Sequence, residues 1–147
     1  MANKRFEKQE AAVAAFVNAL ENAGMQSAYD NVLDSNNNPL DLPRYFRGYV
    51  DKNLATDALF VRFIVDDNEI PYSADNFDFL QTIEIGGEVY TYNGYNDSDY
   101  IDLCLAIESQ MQSNEIDFKW LGEGTDASFD IDNPIKLKRF TATINKI

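Results

Sequence analysis

The sequence predicts an α+β domain: a mixed or antiparallel twisted sheet with two helices packed on one face, in the order helix, strand, hairpin, helix, strand, hairpin. Three observations predict it. Two windows carry apolar residues at helical spacing, the runs between and after them alternate with a period of two, and Gly or Asn-Gly punctuates those runs.

The first helix should span Lys4 to about Met25, because Val13, Phe16, Val17 and Leu20 fall at i, i+3, i+4 and i+7 and Gly24 is placed to end it. Residues 26–55 are rich in Asn, Asp and Pro, and Asn36-Asn37-Asn38-Pro39 is turn chemistry. A short strand is expected around Tyr45–Val50. Leu59-Phe60-Val61-Arg62-Phe63-Ile64-Val65 is apolar on both faces, which suits a central strand or one covered by another subunit. Phe77 to Ile85 alternates, Gly86-Gly87 interrupts, and Glu88 to Tyr92 resumes, so a two-residue hairpin at the glycine pair is expected, since primed turns need positive φ. Asp97 and Ser98 can cap a second helix, with Asp99 and Asp102 in its positively polarised first turn and Ile101, Cys104, Leu105 and Ile107 on its buried side, ending near Gln112. Three strand-like runs follow: Ile116-Phe118-Trp120, Ala127-Phe129-Ile131, and Ile135 to Ile147. In the last, Ile135 and Leu137 share one parity and Phe140, Ala142 and Ile144 the other, which suggests a β-bulge near Lys138-Arg139.

Length and composition bound the class. A chain of 147 residues with 45% hydrophobic and 13% aromatic content supplies enough buriable surface for a single domain over 1–147, which a disordered acidic chain would not. No run approaches the roughly 18 apolar residues of a membrane span. The Met-Ala-Asn-Lys-Arg-Phe start lacks the apolar core of a signal peptide, so synthesis and use in a cytoplasm without a membrane is the expectation.

Chemistry is sparsely encoded. The absence of histidine excludes His-dependent nucleophilic mechanisms and His-ligated zinc. No GxGxxG or GxxxxGK[ST] phosphate loop occurs, and Gly122-Glu123-Gly124 sets an acid where a phosphate would approach. Carboxylates are plentiful, but Asp66, Asp67, Glu69, Asp97, Asp99, Asp126, Asp130 and Asp132 lie mostly beside turns, where solvation and capping account for them. Asp34-Ser35-Asn36-Asn37-Asn38 begins like a calcium loop, yet Pro39 stands at the sixth-position glycine and Tyr45 at the twelfth-position glutamate. The lone Cys104 sits in an apolar run with no base nearby and reads as a small buried hydrophobe. Tyr90, Tyr92, Tyr95 and Tyr100 have only acidic neighbours, which favours core packing or a subunit contact over base stacking. Neither a cofactor, a metal nor catalysis is expected.

Charge is segregated along the chain. The overall charge is −13; residues 1–20 carry +1 and residues 133–147 carry +4, so the stretch 21–132 holds −18. Such a field repels nucleic acid, because gripping phosphates requires Lys and Arg to displace counterions. A basic C-terminal strand against an acidic body suits subunits that meet head to tail.

The N-terminal helix, the strand Leu59–Val65, a hairpin over Phe77–Tyr92, the helix after Asn96-Asp97-Ser98-Asp99 and the final strand Phe140-Thr141-Ala142-Thr143-Ile144 together resemble, in layout, the tail terminator or tail-completion (head–tail joining) proteins of long-tailed bacteriophages. That resemblance implies a structural virion protein: a homo-oligomer, commonly a six-subunit ring, that caps the tail tube, joins it to the neck connector and passes DNA without binding it. It would be made in the host cytoplasm and end in the virion. An acid-lined wall suits a conduit for a polyanion. Lumen-facing acids are then expected among Asp66, Asp67, Glu69, Asp97, Asp99 and Asp102, and subunit or tube contacts at Lys136, Lys138 and Arg139. The alternatives are an acidic DNA-mimic inhibitor of a nucleic-acid enzyme, or another head–tail adaptor or tube protein.

Overall fold

A computed structural model describes residues 4–30, 33–38, 42–51, 59–66, 82–126 and 135–144. The elements are α1 (Lys4–Asn22), β1 (Gln26–Ser27), β2 (Arg44–Arg47), β3 (Leu59–Asp66), β4 (Ile83–Thr91), α2 (Ser98–Ser113), β5 (Asp117–Asp126) and β6 (Ile135–Ile144). The strands form one six-stranded mixed sheet in the order β1-β2-β3-β4-β6-β5. β1, β2 and β3 run parallel to one another, while β3–β4, β4–β6 and β5–β6 are antiparallel. The fold is therefore α+β, as the alternation predicted, and β3 is central.

Both helices lie on one face. Ala12, Val13, Phe16, Ala19 and Leu20 of α1 and Tyr100, Leu103, Cys104, Ile107 and Met111 of α2 join Val61, Phe63, Ile85, Val89, Phe140, Ala142 and Ile144 of the sheet in one buried cluster. The two helices also stop in the same way. At α1, Met25 N–H donates to the Leu20 carbonyl and Gly24 N–H to that of Glu21, with Gly24 at φ 95. At α2, Ile116 N–H donates to Met111 and Glu115 N–H to Gln112, but the left-handed position is filled by Glu115 at φ 58, where an L side chain is strained.

A second apolar cluster, Ala28, Phe46, Phe60, Tyr90, Ile135 and Leu137, occupies the face away from the helices, with Phe60 and Tyr90 stacked 4.6 Å apart. It explains the parity switch in the last strand without a bulge there. β6 pairs regularly with β4 from Ile83↔Ile144 to Thr91↔Lys136, and Ile135 and Leu137 face one cluster while Phe140, Ala142 and Ile144 face the other. The bulge is on β5: Trp120 pairs with Phe140 and Gly122 with Arg139, leaving Leu121 as the extra residue.

The glycine pair is likewise not a turn. β4 runs unbroken through Gly86 and Gly87, paired to β3 on one side and β6 on the other. Its requirement for glycine is space: a Cβ on Gly87 would lie 2.2 Å from the Arg62 carbonyl oxygen and 2.7 Å from Phe140 Cζ. Of the expected hairpin, Phe77–Gln81 falls outside the described residues, as does the strand-like run Ala127-Phe129-Ile131.

Gly87→Ala should destabilise the fold by about 2–3 kcal/mol through overpacking, while Gly86→Ala, whose Cβ would meet nothing closer than 4.0 Å, should be near neutral. Glu115→Gly should stabilise it by about 1 kcal/mol by relieving the left-handed position. Urea denaturation of the three variants checks both statements, and equal losses for the two alanines would contradict the packing argument.

A candidate interaction surface at the edge of the sheet

Of the expected contact residues, Lys136, Lys138 and Arg139 all lie on β6, which is flanked by β4 and β5 and is not an edge strand. The basic C-terminal strand is thus an inner strand of the sheet. Alternation divides the three as well: Lys136 and Lys138 share the helix-side parity of Phe140, and Arg139 has the opposite parity. Lys138 reaches over the indole of Trp120, with its ammonium 4.8 Å from the ring centroid.

The expected lumen acids do not share one location. Asp97 caps α2, its carboxylate accepting from Asp99 N–H at 3.0 Å and Tyr100 N–H at 3.2 Å; Asp99 is exposed on the first turn, and Asp102, expected there too, is exposed one turn further on. Asp66 pairs in register with Glu84 at the start of β4, whereas Asp97 follows the end of that strand. The nine residues of β4 separate these ends by about 26 Å. Asp67 and Glu69 lie outside the described residues. The calcium-like loop is accounted for locally: one Asp34 carboxylate oxygen accepts from Asn36 N–H at 2.8 Å and Asn38 N–H at 2.9 Å.

The arginines of the acidic stretch are turned to internal partners. Arg44 donates to the Ala28 carbonyl at 2.7 Å. Arg62 donates to the Gly48 carbonyl at 2.7 Å and pairs with Glu88 at 3.0 Å. Arg47 grips Glu10 through both carboxylate oxygens, at 3.1 and 2.7 Å, tying β2 to α1. That bond to Arg47 holds the Glu10 carboxyl below its ordinary range. Three of the five basic residues in the stretch 21–132 are thus engaged within the chain, while Lys119 is exposed on β5 and Lys52 lies outside the described residues.

A groove that the sequence reading did not identify lies between α2 and the edge strand β5. It has a volume of about 280 Å³ and is lined by Tyr95, Tyr100, Ile101, Cys104, Leu105, Glu108, Trp120, Glu123 and Lys138. Its position is fixed from both sides. Phe118 and Trp120 pack at right angles, 4.8 Å apart, and the Tyr95 hydroxyl donates to the Gly124 carbonyl, tying the loop before α2 to β5. Ile101 and Leu105, expected to be buried, are instead exposed on the outer side of α2, Leu105 by 58%, and Leu121 at the bulge is exposed by 64%. At the opposite end of the sheet, Tyr29 just past β1 and Tyr49 just past β2 are exposed by 67% and 75%, with Leu33 beside them in sequence.

Inside the groove, burial pushes the Cys104 thiol up to about 11, and burial also raises the Tyr100 hydroxyl. The Tyr100 hydroxyl is 3% exposed as a residue and meets no hydrogen-bond partner of normal geometry among the described residues; its polar neighbour is the weakly interacting Cys104 thiol. No group of three or more His, Cys, Asp or Glu among the described residues could hold a metal, and no described helix is long and apolar enough to cross a membrane. No known protein family and no curated protein matches the chain.

Four buried groups set the response to alkali. Burial raises Cys104, Tyr45 and Tyr100, and lifts Tyr90 to about 12, with Glu88 adding to the effect on Tyr90. Each folded value exceeds its unfolded value, so the stabilisation is complete below about pH 9 and is lost as pH rises through the folded values. Circular dichroism against pH should show cooperative alkaline unfolding with tyrosinate absorbance rising in the same step. At pH 8 in native buffer, Cys104 should alkylate at least about tenfold more slowly than in denaturant, because burial disfavours its thiolate; equal rates would place the thiol in solvent.

Proposed function

We propose that the protein is a non-catalytic assembly subunit whose copies join head to tail through the two ends of its sheet. In its specific form this is a ring of the tail-terminator kind, capping a phage tail tube, joining it to the neck and passing DNA along an acidic wall. The observation that carries the reading is that both ends of one sheet bear exposed large apolar side chains: Ile101, Leu105 and Leu121 beside β5, and Tyr29 and Tyr49 beside β1 and β2. Different surfaces at the two ends make a heterologous contact, which closes into a ring when the rotation per subunit allows. The internal use of Arg44, Arg47 and Arg62 supports the second half of the reading, since a conduit must leave phosphates unbound.

The driving force changes from the one expected of the sequence. With no basic strand at an edge, the contact is apolar between two acidic bodies, so salt should strengthen it by screening their repulsion. Particle mass and negative-stain images at low and high salt test this: a closed ring with an open centre, favoured by salt, is expected. Leu105→Glu with Leu121→Glu should abolish assembly while leaving the fold intact, and so should Tyr29→Glu with Tyr49→Glu. Mixing the two double variants should yield heterodimers and nothing larger. A strict monomer at every salt and concentration, alone and with tail tubes, overturns the ring and turns attention to one-to-one binding of a basic enzyme groove.

A further inference from the structure

We infer that the groove between α2 and β5 is a receptor for an extended basic segment of a partner protein, which adds a strand to β5 and places one Lys or Arg side chain against Trp120. The inference goes beyond the head-to-tail contact: a basic segment and a second copy would compete for the same β5 edge. Three independent features lead to it.

The first is the backbone. β5 is ten residues long and ends the sheet, and among the described residues no strand pairs with its outer side, so its outward N–H and C=O groups can template another strand. Side chains of an added strand would alternate, and those on the helix side would enter the groove beside Ile101, Leu105 and Trp120.

Charge is the second feature. The groove holds two carboxylates, Glu108 and Glu123, against one ammonium, and that ammonium, on Lys138, lies over the Trp120 ring. One further cation would balance it. Tyr95 and Trp120 supply the aromatic faces that attract a cation, and Lys138 already demonstrates the geometry from within the chain.

Third, among the described residues the Tyr100 hydroxyl, buried at this groove, has only the weakly interacting Cys104 thiol as a polar neighbour. Such a group costs free energy until something supplies its hydrogen bond, and a guest that parts α2 from β5 would uncover it.

The test is affinity selection of a random linear peptide library against the full-length protein immobilised sparsely as single copies. Enriched sequences should alternate apolar and polar residues and carry a Lys or Arg. A resynthesised winner should shift the backbone amide resonances of residues 117–126. Glu108→Gln with Glu123→Gln should weaken its binding about tenfold without changing the fold. Tyr100→Phe should leave the fold as stable or more so and weaken the same peptide severalfold. No enrichment, winners without a basic residue, shifts confined to other strands, or unchanged affinity in the Gln double variant would each overturn the receptor. The outcome separates from that of the ring: a monomer that selects basic peptides retains the receptor and loses the ring, and a ring whose isolated subunits select nothing does the reverse.

Discussion

Phe140 lying across Gly87 is the contact on which the rest of the structure depends. Its ring stacks on Phe16 of α1 at 5.9 Å and Phe118 of β5 at 5.2 Å, meets Trp120 edge-on at 6.2 Å, and approaches β4 where a Cβ would stand. A single side chain thereby sets how closely β4 and β6 lie beneath the first helix and how the edge strand tilts against them. Burying a ring of this size contributes about 2–3 kcal/mol by area alone, but its larger effect is geometric. Phe16 passes the same constraint to β3 through Phe63, 4.9 Å away.

Around this centre the sheet divides its apolar surface diagonally. The helix-side core is completed by one half of β6 and the opposite cluster by the other half, so neither face is uniformly apolar along that strand. The same economy governs charge. Arginines that a sequence count treats as available to partners hold carbonyls and carboxylates within the fold, and the acids that remain include one, Asp97, committed to a helix terminus. Each Arg–Glu pair removes one charge of either sign, so the net negative charge stays as the residue count gives it.

The parts of this architecture that were legible in the sequence are those ruled by local periodicity and capping. α1 with its Gly24 stop, the Asp97 cap of α2 and the two-faced apolar run of β3 all follow from residues within a turn or a strand of one another. Gly86-Gly87 misled because glycine serves two ends, positive φ in a turn and absence of a side chain under a ring, and only the distant Phe140 distinguishes them. The bulge was assigned to the wrong strand for a related reason: a parity switch looks the same whether the chain slips or the sheet changes which face is apolar. β5 beyond Trp120 was not foreseen, since Leu121-Gly122-Glu123-Gly124 has weak strand propensity and is held there by pairing with β6. The groove was scarcely legible, because α2 and β5 meet only through tertiary packing. A weak hint lay in Ile101 and Leu105, which widen the apolar arc of α2 beyond what one buried face needs.

The position of Trp120 has a practical consequence. It is the sole tryptophan in the chain, half-buried on the edge strand with an ammonium over its ring and the carboxylates of Glu108 and Glu123 in the same groove. Indole emission responds to solvent exposure and to charges near the ring, so the protein carries an intrinsic optical reporter at the surface where another chain would dock. Events at that edge can be followed in real time in unlabelled material, with the seven other elements of the fold contributing no tryptophan signal of their own.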